Sequence, residues 1–220
     1  MGTVAIFVGL DYHDAHVQVC VLDRQGQRLA NRAVANDWQA IARVVGQHEG
    51  PVHAALESCA GAADLAEELV QQAGWSVDLA HPGFVARMKQ NPDKTDLQDA
   101  HLLADLERVG YLPRVWLAPA PVRELRRLVR YRQQLAERRR ATKPRVRAVL
   151  REQRRQAPAG LRPWTRAWCL WLTDGAGLSE QGRWVVGQHL RELGRLAEDL
   201  QEVEGRLARL TADDPEVARL

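Results

Sequence analysis

The stretch "TVAIFVGLD" is apolar at nearly every position until Asp11 closes it, the pattern of a strand buried on both faces. "AHVQVCVLD" alternates more, "DRQG" at 23–26 reads as a turn, and "QRLANRAVA" returns as a third strand, so the chain opens on an antiparallel meander. "NDWQAIARVVGQH" then has helical spacing, with Asn36 or Asp37 as its cap. "PVHAALES" is a fourth strand ending at Glu57, "AADLAEELVQQAG" a helix between Gly61 and Gly74, and "WSVDLA" a short fifth strand. "HPGFVARMKQ" reads as a turn with a short helix, and the helix that begins in "NPDKTDLQDA" follows. Strands first in a meander and then alternating with helices predict an α/β fold with a mixed sheet. The fourth strand is expected beside the first and parallel to it, which sets Asp11 and Glu57 at adjacent carboxyl ends, the edge where open α/β sheets bind ligands.

Beyond residue 113 the pattern changes. "PAPVRELRRLVRYRQQLAERRRATKPRVRAVLREQRRQ" is a long helix, about 50 Å if continuous, with Pro119 or Pro121 near its first turn. Pro144 removes a backbone donor and predicts a kink or a split there. "RAWCLWL" is a short Trp-rich helix, and the 4 and 3 steps of Trp164, Trp168 and Trp171 place them on one helical face, expected to serve core or dimer packing rather than base stacking. A last helix over about 179–211 carries Leu193, Leu196, Leu200, Val203, Leu207 and Leu210 in coiled-coil steps, and predicts self-association. The expected organisation is a catalytic domain over 1–113 and a basic, helical and coiled-coil region over 114–220.

Composition changes this picture in one respect. The net charge of +3 is unevenly spread: residues 1–113 hold 8 Lys/Arg against 15 Asp/Glu, net −7, and residues 114–155 hold 15 against 3, net +12. An acidic site and a polyanion-binding element are implied. Three widely separated cysteines, Cys20, Cys59 and Cys169, argue against a disulfide framework or a zinc site and suit a reducing compartment. No apolar run is long enough for a membrane helix, and the N-terminus reads as a strand rather than a signal peptide.

The candidate chemistry is carboxylate chemistry. In "KTDLQDA", Thr95 and Gln98 match a capping box, and acids in a first turn favour the helix dipole by about 0.3–1 kcal/mol each. Capping alone would explain the stretch. Yet Asp96 and Asp99, three apart, also share a helix face, and Asp11 and Glu57 each close a largely apolar strand. Divalent ions need several hard oxygen ligands from different elements, which these four would supply. His13 and His16 read as hairpin residues, with a place near the metals as the lesser alternative, and His101 as a packing or hydrogen-bonded residue.

"VGLDYHDAHVQVCVLD", "ALES" with "GAADLAEEL", "HPGFVARMK", "KTDLQDAHLLADL" and the basic "LRRLVRYRQQLAERRRATKPRVRAVL" resemble the DEDD transposases of bacterial insertion sequences, the bridge-RNA-guided recombinases. The resemblance spans about residues 4 to 155 and is most specific in Lys-Thr-Asp-x-x-Asp-Ala. It implies a RuvC-like (RNase H-like) domain whose tetrad Asp11, Glu57, Asp96 and Asp99 holds Mg²⁺ or Mn²⁺, two ions, for DNA strand cleavage and exchange. It also implies a bacterial, cytoplasmic, nucleoid-associated enzyme with DNA and a structured guide RNA as partners, acting as a homodimer or higher oligomer. Lys94, Arg126, Arg127, Arg130, Arg138, Arg139, Arg140, Lys143, Arg145 and Arg147 are the expected nucleic-acid contacts. The family's serine nucleophile belongs to a separate C-terminal domain. Ser58, Ser76 and Ser179 sit in no matching context, so the nucleophile is expected outside these 220 residues. Asp14, where relatives often carry a basic residue, departs from the pattern and either crowds the site or adds a ligand. A structure-specific RuvC-like nuclease and a non-catalytic RNA-binding module in which the acids are only caps are the alternatives. A sugar kinase of actin-like fold is disfavoured because Tyr12, His13 and Asp14, not glycine, follow Asp11.

Overall fold

The computed structural model describes residues 5–88 and 95–212. They form two compact units, one up to Ala118 and one from Pro119. Lys94 and Asp93 lie outside the described residues.

The first unit is built on a sheet of six strands among the described residues, in the order β3-β2-β1-β4-β5-β6. Strands β1 (Ile6–Tyr12), β2 (His16–Leu22) and β3 (Arg28–Ala35) form the antiparallel meander. β4 (Val52–Glu57) lies parallel to β1, as the sequence predicts, and β5 (Ser76–Ala80) parallel to β4. The short β6 (Arg114–Val115) returns antiparallel to β5, so residues just beyond 113 complete this sheet.

Strand alternation divides the side chains between two faces. Ile6, Val8 and Leu10 of β1 with Ala54 and Leu56 of β4 meet α1 (Trp38–Val45) and α2 (Ala62–Ala73) through Ile41, Val44, Leu65 and Leu69. Asp37 caps α1, accepting the Ala40 N–H at 2.7 Å. Gly74 closes α2 in the left-handed region (φ 70°) that a side chain would resist. The opposite face carries α3 (Pro82–Met88) and α4 (Asp96–Arg108). There Ala55 and Ala80 pack on Val85 and Leu103, while Cys20 and Leu22 pack on Ala100 and Ala104. This three-layer mixed α/β arrangement is RNase H-like.

The second unit contains α5 (Ala120–Glu152), α6 (Arg166–Leu170), a π-helical turn (Trp171–Gly175) and α7 (Glu180–Leu210). Pro144 does not split α5, contrary to expectation. Thr142, Val146 and Leu150 are buried on either side of it, so packing offsets a break worth about 3 kcal/mol. Trp168 is buried in the core with Val146, Leu172 and Val186, as predicted for a packing residue. Trp164 is not on the helix: it precedes α6 with φ 68°, its ring 4.7 Å from that of Trp168.

The coiled-coil seam finds its partner within the unit. Leu196, Leu200 and Val203 of α7 are buried against Leu135 of α5, and Arg132 pairs with Glu204 at 2.8 Å. Val186 near the start of α7 meets Val146 and Leu150 near the end of α5, so the two helices run antiparallel. A charge placed in this seam would be buried without a partner. Leu200→Asp should therefore cost at least about 3 kcal/mol, read as loss of helical circular dichroism at lower temperature. Wild-type melting would mean that the seam carries little of the unit's stability.

Candidate active site

The face of α4 that meets the sheet begins with acids. Asp96, Asp99, Ala100, Leu103, Ala104 and Glu107 recur at helical spacing, and all of these but Asp96 are buried. Thr95 caps the helix, its Oγ accepting the Gln98 N–H at 3.4 Å, which is the first half of the predicted capping box. With Thr95 as the cap, Asp96 and Asp99 are not needed for that purpose. A carboxylate present only to favour the dipole would be solvated, whereas Asp99 is 6% exposed.

On the sheet side, Asp11 lies opposite Gln18 of β2 and follows Leu10, which pairs with Leu56. One residue further in that register sets Asp11 beside Glu57, and alternation turns both toward the α4 face. Burial raises the Asp11 carboxyl above its usual range. His13 opposes this rise, and the charges of Asp99 and Asp96 add to it. Desolvation likewise raises the Cys59 thiol, and the charges of Glu57, Asp11 and Asp14 add to it. Carboxylates from β1, β4 and α4 are thus drawn to one sheet edge.

Three features hold α4 there that the sequence reading passed over. Gly9 lies in β1 directly beneath α4, where a Cβ would collide with the backbone oxygen of Ala100 and come within 2.5 Å of the Ala104 nitrogen. A lone glycine inside an apolar strand is a signal for such close approach. Gln18, buried in β2, donates to Asn31 Oδ1 at 2.6 Å, and Asn31 donates to the Leu97 carbonyl in the first turn of α4 at 2.9 Å. The polar break in "HVQVCVL" could have pointed to it.

The histidines are hairpin residues, as expected, and also lie against two of the acids, Asp11 and Asp96. They flank a two-residue turn, Asp14-Ala15, with the His13 N–H donating to the His16 carbonyl at 3.0 Å. Asn36 Nδ2 donates to the carbonyls of His13 at 3.0 Å and Asp14 at 3.4 Å. The rings stack with centroids 4.6 Å apart. His13 Nε2 lies 3.2 Å from Asp11 Oδ2 and 3.3 Å from Asp96 Oδ2, and His16 Nε2 lies 3.5 Å from the same Asp96 oxygen. Asp14 itself is exposed in the turn. His101 is hydrogen-bonded, its Nδ1 3.7 Å from Cys20 Sγ. Ser179 caps α7, accepting the Gly182 N–H at 3.2 Å.

A protein-family model for transposases, the DEDD type of insertion sequence 110, matches residues 8–154. The chain belongs to this family. No curated protein matches the chain. The matched span includes all four acids and the whole of α5. As a DEDD-family transposase the protein is an enzyme of DNA transposition, and DNA is its partner. Among the described residues no helix is long and apolar enough to cross a membrane.

Apart from Lys94, which lies outside the described residues, the basic residues foreseen as nucleic-acid contacts lie on α5. Arg126, Arg127, Arg130, Arg138, Arg139, Arg140, Arg145 and Arg147 are exposed and Lys143 half-buried. Arg127 pairs with Glu124 at 2.6 Å. Arg130, Arg138, Arg139, Arg140 and Arg145 make no ion pair among the described residues. Lys143 Nζ and the Arg147 guanidinium lie 5.2 and 5.7 Å from the centre of the Trp164 ring.

Proposed function

We propose that the protein is the catalytic and RNA-binding part of an RNA-guided DNA recombinase, with Asp11, Glu57, Asp96 and Asp99 holding two Mg²⁺ or Mn²⁺ ions. The observation that carries this reading is the convergence of Asp11 and Asp96, 85 residues apart in the chain, on His13 Nε2 at 3.2 and 3.3 Å, with the charges of Asp99 and Asp96 adding to the burial that raises the Asp11 carboxyl. Carboxylates that repel one another are gathered against a packed sheet, and hard divalent cations relieve that repulsion. The donor set is all oxygen, as magnesium prefers. Bound ions of this kind supply charge neutralisation at the scissile phosphate and a deprotonated attacking oxygen. The chain's own residues do the rest. Buried Asp99 and half-exposed Asp96 would both hold the ions, Asp96 being the acid open to an entering DNA strand. His13 Nε2 lies between the two carboxylates, 3.2 Å from Asp11 and 3.3 Å from Asp96.

Manganese titration by calorimetry tests this. Wild type should bind two ions, and Asp11→Asn, Glu57→Gln and Asp99→Asn should each weaken that binding strongly. Unchanged binding in all three overturns the metal reading and returns the acids to structural roles.

The guide RNA is assigned to α5, with Lys94 a further phosphate contact. Among the described residues Arg130, Arg138, Arg139, Arg140 and Arg145 make no ion pair, so polyanion phosphates are their natural counterions. Affinity for a structured RNA should fall steeply with salt, with a log–log slope of several units, and reversing Arg138, Arg139 and Arg140 to Glu should flatten it. Salt-independent binding in a filter assay would exclude phosphate contacts as its source. Self-association as a dimer or higher oligomer belongs to the same reading. It is supported by the exposed Trp184 and Leu210 of α7, and light scattering tests it.

A further inference from the structure

The tetrad reading leaves His13 and His16 without a task beyond one hydrogen bond. Yet the two rings are held as a built pair. The hairpin between β1 and β2 sets them across a two-residue turn, the His13 N–H closes that turn, and Asn36, just after β3, holds its carbonyls. Both Nε2 atoms are aimed at one oxygen, Asp96 Oδ2.

The spacing is that of a coordination shell. Ligands about 2.0–2.1 Å from a tetrahedral zinc lie about 3.3–3.4 Å from one another. The two imidazole-to-carboxylate distances are 3.3 and 3.5 Å, and all three donor atoms lie within 4.8 Å of one another. Imidazole nitrogen suits zinc and its neighbours, whereas magnesium rarely accepts it. The donor set therefore differs in chemistry from the four-carboxylate site, although Asp96 belongs to both.

We propose that His13, His16 and Asp96 form a site for a borderline transition-metal ion, zinc(II), with water in the fourth position, and that occupancy of this site draws Asp96 away from the magnesium tetrad. In the free protein both Nε2 atoms and Asp96 Oδ2 face the position where the ion would bind. The ion would take up both imidazole nitrogens and hold the half-exposed Asp96 carboxylate at the hairpin. Zinc would thus act as a brake on the catalytic site, set by which metal the protein meets. The competition rests on the tetrad reading, whereas the binding does not.

Cobalt(II) reports on such a site because four-coordinate cobalt with imidazole ligands absorbs visibly, and six-coordinate cobalt on oxygen ligands only faintly. Wild-type protein should develop the strong bands at one equivalent, and zinc should bleach them. His13→Gln and His16→Gln should each weaken cobalt binding at least about tenfold, and Glu57→Gln should leave the bands in place. Far-UV circular dichroism confirms that each variant is folded. Faint bands in wild type, bands that survive both histidine substitutions, or bands lost in Glu57→Gln overturn the site. For the competition, zinc should release manganese from wild type, seen as the free-ion electron paramagnetic resonance signal, and should release much less from the His13→Gln/His16→Gln double variant. Equal release from both, or no bound manganese to release, overturns the brake. Strong cobalt bands without manganese binding would retain this site while removing the tetrad reading, and the converse result would do the opposite.

Discussion

Asp99→Asn should make the metal-free protein melt at a higher temperature and should abolish most of the rise that Mg²⁺ produces in the wild type. Asp99 is buried and sits in the electrostatic field of Asp11, whose carboxyl is raised by burial, with Asp99 and then Asp96 contributing. An acid whose folded pKa lies above its unfolded value of 3.8 favours the folded state at low pH, and that contribution is lost as pH rises through the folded pKa. At neutral pH the metal-free wild type has lost it. Removing the Asp99 charge lessens the loss, so the variant should also depend less on pH above 3.8. Metal acts in the opposite direction on the wild type. An ion at a hundredfold excess over its Kd stabilises by about 2.7 kcal/mol. For a chain of this length that is a rise of about 5–10 °C. Asn keeps the size and polarity of Asp but donates at one position, so the ligand field is broken while packing is kept. Asp11→Asn and Glu57→Gln should behave alike, although both are far from Asp99 in the chain. A thermal-shift titration decides the matter: equal metal responses in the wild type and all three variants would leave "KTDLQDA" as a capped helix start and no more.

Gly9→Ala should be the most damaging single methyl in the first unit. The added Cβ meets main-chain atoms of Ala100 and Ala104, not the end of a flexible side chain. The neighbours cannot rotate away, so α4 as a whole must lift from the sheet. Overpacking of this kind costs about 1–3 kcal/mol and more where backbone must move. Ala100, Leu103 and Ala104 would lose part of their packing against Cys20, Leu22 and Ala55 at the same time. The functional effect should exceed the stability effect. Asp96 and Asp99 ride on the first turn of α4, and a lift of about 1 Å separates them from Asp11 and Glu57 by more than ligand geometry tolerates. Manganese binding should therefore fall in Gly9→Ala even at temperatures where circular dichroism shows it folded. Full binding in a folded Gly9→Ala protein would show that α4 is not positioned through this contact.

Much of the first unit was legible along the chain because its signals are local. Period-two alternation in "HVQVCVL", the unbroken apolar run ending at Asp11, and the Gly74 stop of α2 each depend on residues within a few positions. The parallel pairing of β1 with β4 follows from a right-handed crossover that brings the fourth strand to the side of β1 away from the hairpin, and it brings Asp11 toward Glu57. The helix spacing of Asp96 and Asp99 was legible in the same way.

What the chain alone left undecided was which faces meet. His13 and His16 read as hairpin residues because nothing near them in sequence shows that Asp96, 80 positions or more away, lies over the turn. The value of Gly9 depends on the backbone of α4 being its neighbour. The heptad steps of α7 specified an apolar seam but not its partner, and α5 covers its central residues within the unit. Pro144 weakens a helix locally, and burial of Thr142, Val146 and Leu150 around it kept α5 continuous. Periodicity sets which side of an element is apolar. The free energy that selects its partner comes from area buried between elements distant in the chain, and that quantity exists only in the folded structure.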